Sequence, residues 1–362
     1  MMNRGKNILQ VQYGFDKKLM ETCVLLKKYP SSQKEALVSR LQQVEKQYGL
    51  EYALLILYRQ QVESGFVLAD PLENHGKDVK NIFDDKTGIT FMAQWNPHRE
   101  LRKQHNLLIQ RGIINDKSEK HHLVNIDKQG RACYLCYENI RQQNPAEVIY
   151  PVELSGETFY LGANFAYITN NHFTLFNKQH IPQKYRKAIL KMMMEFTDKT
   201  HGVFKVIFNG LAGASIEHHE HMQVTTAMFP VENIHFDNND IVTQQQGVKI
   251  IRPFYYTSLW LLEGENSAAL IEYGHDIIHK WHAADEQNNT ENIVVVKRDN
   301  DFRMFIFPRD RRKLAGKGKK GAMASFETSG NIVLSDEETE RETYNTFSRK
   351  TVENLLASIN PS

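Results

Sequence analysis

The residues best suited to chemistry crowd into one segment, FNGLAGASIEHHEHMQ at 208–223. His218, His219 and His221 fall within four positions, behind the small-residue loop Asn209-Gly210-Leu211-Ala212-Gly213-Ala214-Ser215 and just ahead of Gln223. A neutral imidazole attacks phosphorus, and a covalent nucleotidyl-histidine divides one difficult displacement into two easier ones. His221 is the nucleophile that this pattern selects. Strand alternation across 219–223 would put His219, His221 and Gln223 on one surface and Glu220 and Met222 on the other. The loop in front suits phosphate oxygens, because backbone N–H groups at a Gly-Ala-Ser turn can approach an anion that larger side chains would keep away. Gln223 bears on the class of reaction. A histidine there could protonate a departing alkoxide, whereas an amide donates only neutral hydrogen bonds, so the leaving group must be good unaided. That favours transfer or phosphorolysis of a phosphate ester over general hydrolysis. The plain alternative, a histidine-rich strand that collects stray metal, does not account for the glycine loop.

Cys133 and Cys136 form the second constellation. Two thiolates at this spacing occupy two corners of a tetrahedral Zn²⁺, and His180 and His219 are the candidates for the other two. A redox pair is the rival. Such a pair opens a helix after a strand, whereas Tyr137-Glu138-Asn139, with Gln142, Asn144 and Pro145 behind it, reads as a loop. Cys23 remains as a buried, inert thiol.

These residues need a scaffold, and 362 residues with 41% hydrophobic content supply one large domain or two ordinary ones. The formal charge of +2 gives no long-range field for nucleic acid or an anionic membrane. No apolar run of about 18 residues exists, and the start MMNRGKNILQVQYG lacks a signal-peptide core, so a cytoplasmic protein without a membrane partner is expected. Leu37, Leu41, Val44 and Tyr48 predict a helix over 31–48, with Ser32 and Glu35 as a capping box and Gly49 as its stop; a second helix is expected over 51–63. Residues 88–95, 172–176, 203–208 and 224–226 read as strands, and 183–201 as a helix. The polar stretch 231–250 reads as a connector. A helix over 267–285 and strands over 292–297 and 303–308 repeat the helix-strand-strand order of the centre, which suggests a degenerate internal duplication whose second copy lacks the histidines. The basic stretch 309–321, with Arg309, Arg311, Arg312, Lys313, Lys317, Lys319 and Lys320, reads as a solvated loop.

Four segments, QWNPHR at 94–99, RACYLCYENIRQQ at 131–143, NFAYITNNHFTLFNKQHIPQ at 164–183 and FNGLAGASIEHHEHMQ at 208–223, resemble the galactose-1-phosphate uridylyltransferase branch of the histidine-triad superfamily. Three residues separate Ser215 from His219, which is closer to its GDP-sugar (GDP-L-galactose) phosphorylase-like members. The resemblance covers 89–226 well and 291–334 weakly. It implies an α+β fold with an antiparallel sheet of histidine-triad type: an N-terminal helical region over 1–87, a first half over 88–230 with the site, the connector 231–250, and a degenerate second half over 251–362. It further implies a covalent nucleotidyl-histidine at His221 with Gln223 as its phosphoryl partner. Asn164 and Phe165 would hold the nucleoside, Asn209 and Gly213, Ala214 and Ser215 the phosphate, with Arg309 as a further phosphate contact. Zinc would lie on Cys133, Cys136, His180 and His219. The implied activity is nucleotidyl transfer from a nucleoside diphosphate sugar to phosphate or a sugar phosphate. The alternatives are a dinucleoside polyphosphate (diadenosine tetraphosphate) phosphorylase and a catalytically silent, zinc-stapled nucleotide-binding protein.

Overall fold

The computed structural model describes residues 33–67, 78–97, 99–100, 123–126, 128, 132–144, 146–316, 320–335 and 338–361. The helical spacing of Leu37, Leu41 and Val44 becomes α1 (Lys34–Tyr48), and α2 (Leu50–Glu63) follows directly. The N-cap of α1 is Gln33; the expectations for Ser32 and Cys23 lie outside the described residues. Next come the hairpin β1 (Val79–Asp84) and β2 (Ile89–Trp95), and the short helix α3 (Tyr137–Gln143). The central elements are β3 (Ile149–Leu154), β4 (Glu157–Ala163), β5 (Phe173–Asn177), α4 (Lys187–Lys199), β6 (Lys205–Asn209) and β7 (His221–Thr225). After them run β8 (Ile241–Gln245), β9 (Val248–Ile251), β10 (Trp260–Gly264), α5 (Ser267–Ala284), β11 (Asn289–Arg298) and β12 (Asp301–Asp310). The chain closes with α6 (Ser325–Thr328), β13 (Asn331–Leu334), α7 (Arg341–Asn345) and α8 (Arg349–Ser358). The class is α+β, as expected, and among the described residues no helix is long and apolar enough to cross a membrane.

Ten strands form one sheet in the order β3-β4-β5-β7-β6-β11-β12-β10-β9-β8. Between β6 and β11 the order divides into two sets with the same connectivity. In each, three strands meander, a helix crosses, and a hairpin returns with its second strand beside the third. The sets meet through β6 and β11, paired antiparallel with Asn209 opposite Asn292. The stretch read as a connector therefore contains β8 and most of β9, because Ile241, Val248 and Ile250 are apolar positions that pack inward between polar ones. The region read as helical at the N-terminus likewise ends in a strand, β1.

One face of the sheet is covered by α1, α2, α4 and α5, and Met222 and Val224 of β7 pack in that core. The other face, with Ile207, Val294 and Phe305, is covered by the three-stranded sheet β1-β2-β13 and the C-terminal helices. Strand alternation turns His221 and Gln223 toward this second face. The helix expected from Gln183 begins only at Lys187, since the Gln183 side chain is drawn into the strands and Arg186 stays extended as the N-cap.

Phe208, fully buried on β6 at the seam of the two half-sheets, fills the core directly beside Asn209. Phe208→Ala is expected to cost about 3–5 kcal/mol in urea unfolding. A loss below about 1 kcal/mol would show that the seam is not a shared core.

Candidate active site

β6 and β7 pair at Lys205–Thr225, Val206–Val224 and Ile207–Gln223, then part. Gln183 fills the gap: its Nε2 donates to the carbonyls of Asn209 (2.7 Å) and His221 (3.0 Å), and its Oε1 accepts from the His221 N–H (2.7 Å). The splayed ends carry the glycine loop on one side and the histidines on the other. His219 lies just before β7, so its placement follows from the turn ahead of the strand and not from the strand alternation expected over 219–223.

At that turn four donor atoms converge. Those of Cys133, Cys136, His180 and His219 lie within 4.8 Å of one another. Cys133 Sγ is 3.3 Å from His219 Nδ1, and Cys136 Sγ is 3.3 Å from His180 Nδ1. Metal–ligand bonds of about 2.0–2.3 Å in a tetrahedron require ligand separations of roughly 3.3–3.8 Å, so the set fits Zn²⁺. The tautomer fits too. His219 Nε2–H donates to the Asn177 carbonyl at 2.7 Å, which leaves the Nδ1 lone pair facing the sulfurs. Burial, then the neighbouring Cys136, pushes the Cys133 thiol up to about 12, so thiolates here need a cation beside them. The segment after Cys136 is α3 and not the expected loop, because Cys136 serves as its N-cap and Asn139 donates to the Val124 and Cys133 carbonyls. The case against a redox pair therefore rests on the two imidazoles that complete the donor set.

The same histidine connects this cluster to the nucleophile candidate. The carbonyl of His219 accepts from His221 Nδ1–H at 2.8 Å, leaving Nε2 unprotonated. Burial holds His221 below the usual imidazole value, which keeps the ring neutral. Glu220, on the opposite face, is gripped by Arg186 at 2.7 Å, and Arg186 also pairs with Glu157 at 2.6 Å.

Gln223 has a partner that sequence reasoning missed. His172 Nδ1 accepts from the Ile168 N–H at 3.1 Å, so its proton sits on Nε2, 3.3 Å from Gln223 Oε1. Burial, then the charge of Arg99, pulls His172 down to about 3, so it remains a neutral donor. With its oxygen occupied, the Gln223 amide turns its N–H groups elsewhere. The loop carrying Ile168 is held by Gln94, Asn96 and Arg99, which donate to the carbonyls of Ile168 (2.9 Å), Tyr167 (3.1 Å) and Ala166 (2.8 Å). His98 and Arg131, in segments that carry the family resemblance, lie outside the described residues. Half-buried Asn164 spends its Oδ1 on the Ala166 N–H (3.1 Å), and the ring of Phe165 packs edge-on against Phe66 in the helix-side core.

The glycine loop is built from the second half-sheet. Thr290 Oγ1 accepts from the Leu211 N–H (2.9 Å), the Glu291 carbonyl from the Gly210 N–H (2.8 Å), and Asn292 Nδ2 donates to Asn209 Oδ1 (2.9 Å) and the Ala212 carbonyl (3.0 Å). Gly213 has φ +122°, and a side chain there would also meet Ala324 at 2.8 Å, so glycine is required. Ala214 is half-buried and Ser215 exposed at the loop's mouth. Arg309 departs from the expectation of a phosphate contact and from the solvated loop read over 309–321. It is 0% exposed on β12, donating to Asn292 Oδ1 and, at 2.9 Å, to the Met323 carbonyl. The basic stretch conceals a strand end, where alternation turned Arg309 inward, and Lys320 departs from the solvated reading as well, buried and paired with Glu340 at 3.0 Å. Lys317 and Lys319 lie outside the described residues.

Residues 77–226 match the family model described as "Domain of unknown function (DUF4922)". The chain is 24% identical over 205 residues to a galactose-1-phosphate uridylyltransferase of Halalkalibacterium halodurans, a match covering 50% of this chain and 40% of that protein. A galactose-1-phosphate uridylyltransferase 1 of Streptococcus pneumoniae is 26% identical over 161 residues, covering 41% of this chain and 32% of its own. The chain thus matches less than half the length of these relatives. Among solved structures, the fold is similar to yeast Ap4A phosphorylase Apa2 in complex with AMP, with TM-score 0.51 and 14% identity over 84% of this chain and 96% of that one. The complex of the same yeast enzyme with Ap4A gives TM-score 0.52 at 14% identity over 83% and 96%. The chain is thus similar in sequence to galactose-1-phosphate uridylyltransferases over up to half its length, and in fold to a yeast Ap4A phosphorylase over most of it.

Proposed function

We propose that this chain moves a nucleotidyl group from a nucleoside diphosphate sugar to phosphate or a sugar phosphate, through a covalent nucleotidyl-histidine at His221. The observation that carries the reading is the 2.8 Å bond from His221 Nδ1–H to the His219 carbonyl, which leaves Nε2 its lone pair on a strand end that Gln183 ties to Asn209 at the start of the glycine loop. In the first step Nε2 bonds to the α-phosphorus while the P–O bond to the sugar phosphate breaks, and the sugar phosphate departs as an anion needing no proton. In the second an acceptor oxygen bonds to phosphorus, the P–N bond breaks, and its electron pair returns to Nε2. Gln223, its oxygen taken by His172, offers N–H groups to the phosphoryl oxygens, where negative charge builds. Asn209 and the 213–215 backbone serve the phosphate, and Asn164 the nucleoside side.

Zinc on Cys133, Cys136, His180 and His219 would be structural, fixing the residue whose carbonyl orients His221. The strand sets β3–β7 and β8–β12 are two copies of one unit, the second kept for what β11 and β12 do to the first copy's loop. The similarity to nearly the whole yeast Ap4A phosphorylase fold favours a second reading, phosphorolysis of a dinucleoside polyphosphate by the same His221 chemistry.

A panel of nucleoside diphosphate sugars and dinucleoside polyphosphates, each with and without inorganic phosphate, separates the readings by which donor releases nucleotide. Phosphate-dependent turnover is expected, and His221→Ala should lower it on the order of 10⁴-fold or more. Turnover unchanged by that substitution would remove His221 from the chemistry. His172→Phe should lower kcat roughly ten- to hundredfold with KM little altered; a rise in KM alone would mean that His172 shapes binding and not the orientation of Gln223. Elemental analysis should find about one zinc per chain, lost in Cys136→Ser together with thermal stability. A metal-free protein of undiminished activity and Tm would contradict the zinc assignment.

A further inference from the structure

Arg309 is a cation in an unusual place. It is wholly buried, no carboxylate lies within 4.0 Å of it among the described residues, and its Nε has no hydrogen-bond partner. Burial holds its pKa down to about 10, with partial relief from the more distant Glu327, yet it remains charged at neutral pH. An uncompensated buried charge destabilises a fold unless something else neutralises it.

The hydrogen bonds around it have only one possible direction. A guanidinium only donates, so Asn292 must turn its oxygen to Arg309 and its NH₂ the other way. That NH₂ meets Asn209 at 2.9 Å, as do the Ser325 N–H at 2.9 Å and the Ser325 hydroxyl at 2.6 Å. With three donors converging, Asn209 must present its oxygen. Its own NH₂ is then left over, with no acceptor among the described residues, at the first position of the glycine loop. We propose that Arg309 charges the phosphate site without touching the ligand, polarising Asn292 and through it Asn209, whose free N–H groups meet the phosphate of the nucleotide. The nucleotide phosphate is then the counterion that the buried guanidinium lacks. Each amide passes on the polarity of the one behind it, and in a dry interior such chains strengthen the terminal donor. Arg309 and Asn292 are positioning residues in this scheme. It rests on the nucleotide chemistry proposed above, and it assigns the degenerate half a share in binding.

The test exploits a near-isosteric change. Asn292→Asp gives Arg309 a carboxylate and so compensates its charge within the protein, while the new carboxylate cannot donate to Asn209, whose oxygen stays on the two Ser325 donors but is no longer polarised from Arg309. Binding of the 5′-monophosphates of adenosine, guanosine, uridine and cytidine, and of the four parent nucleosides, is measured by calorimetry on wild type, Asn292→Asp and Arg309→Met. The variants should bind the preferred monophosphate roughly ten- to hundredfold more weakly and the nucleoside as wild type does. Equal losses for nucleoside and nucleotide would overturn the relay, because a merely structural role damages both. If wild type binds a monophosphate and Asn292→Asp binds it as tightly, the relay fails and the nucleotide reading stands. If wild type binds none of the eight, both fail.

Discussion

Asn209 and Asn292 face each other across the antiparallel seam where the two half-sheets join, and the geometry of the site depends on that pairing. Were β6 and β11 out of register by one residue, every side chain on the seam would change faces, and the two amides would no longer meet. The register is held by apolar packing on both sides of the sheet, with Val206, Phe208, Ile293 and Val295 toward the helices and Ile207 and Val294 toward the smaller sheet. Once it is set, three successive residues of β11, Thr290, Glu291 and Asn292, reach three parts of the glycine loop. The loop keeps its shape because a strand about 80 residues away in sequence holds it. A second half without the histidine cluster is thereby explained as a structural partner of the first.

On the other side of the same gap, the metal-ligand set and the nucleophile candidate share one residue. The His219 ring faces the cysteines while its carbonyl sets the tautomer of His221. Anything that rotates His219 therefore reaches the imidazole two positions on. Gln183 ties both sides together by bonding the last residue of β6 and the first of β7. The Cys/His cluster, the histidine pair and the glycine loop behave as one rigid unit on this account, which suits chemistry that supplies no acid and must stabilise charge by fixed dipoles.

Much of this could be read from the sequence, and what could be read was local. His219, His221, Gln223 and the Cys133–Cys136 pair announce themselves by spacing within a few residues, and the pairing of the cysteines with His180 and His219 is what the structure brings together. The repeated helix-strand-strand order pointed to two related halves. The supporting residues could not be found in the same way. His172 is 51 residues from Gln223, Asn292 is 83 from Asn209, and Ser325 is 116 from it. An isolated Asn or Ser has no periodicity or motif, and acquires a role only when strand register puts it opposite a partner. Arg309 escaped for a different reason. Among so many basic neighbours it looks solvated, and only the strand that runs through Asp310 turns it inward. The polar residues of 231–250 mislead similarly, since β8 lies at the sheet edge, where polar side chains reach water.

The central claim is that His221 carries the nucleotidyl group between donor and acceptor. Intact-protein mass spectrometry after incubation with a nucleoside diphosphate sugar and no acceptor tests it most directly. The account predicts a mass increase of one nucleoside monophosphate residue, mapped to His221, labile to acid and discharged by added phosphate. An adduct mapped to His218 or to another residue, or steady turnover of that donor without any adduct, would contradict it.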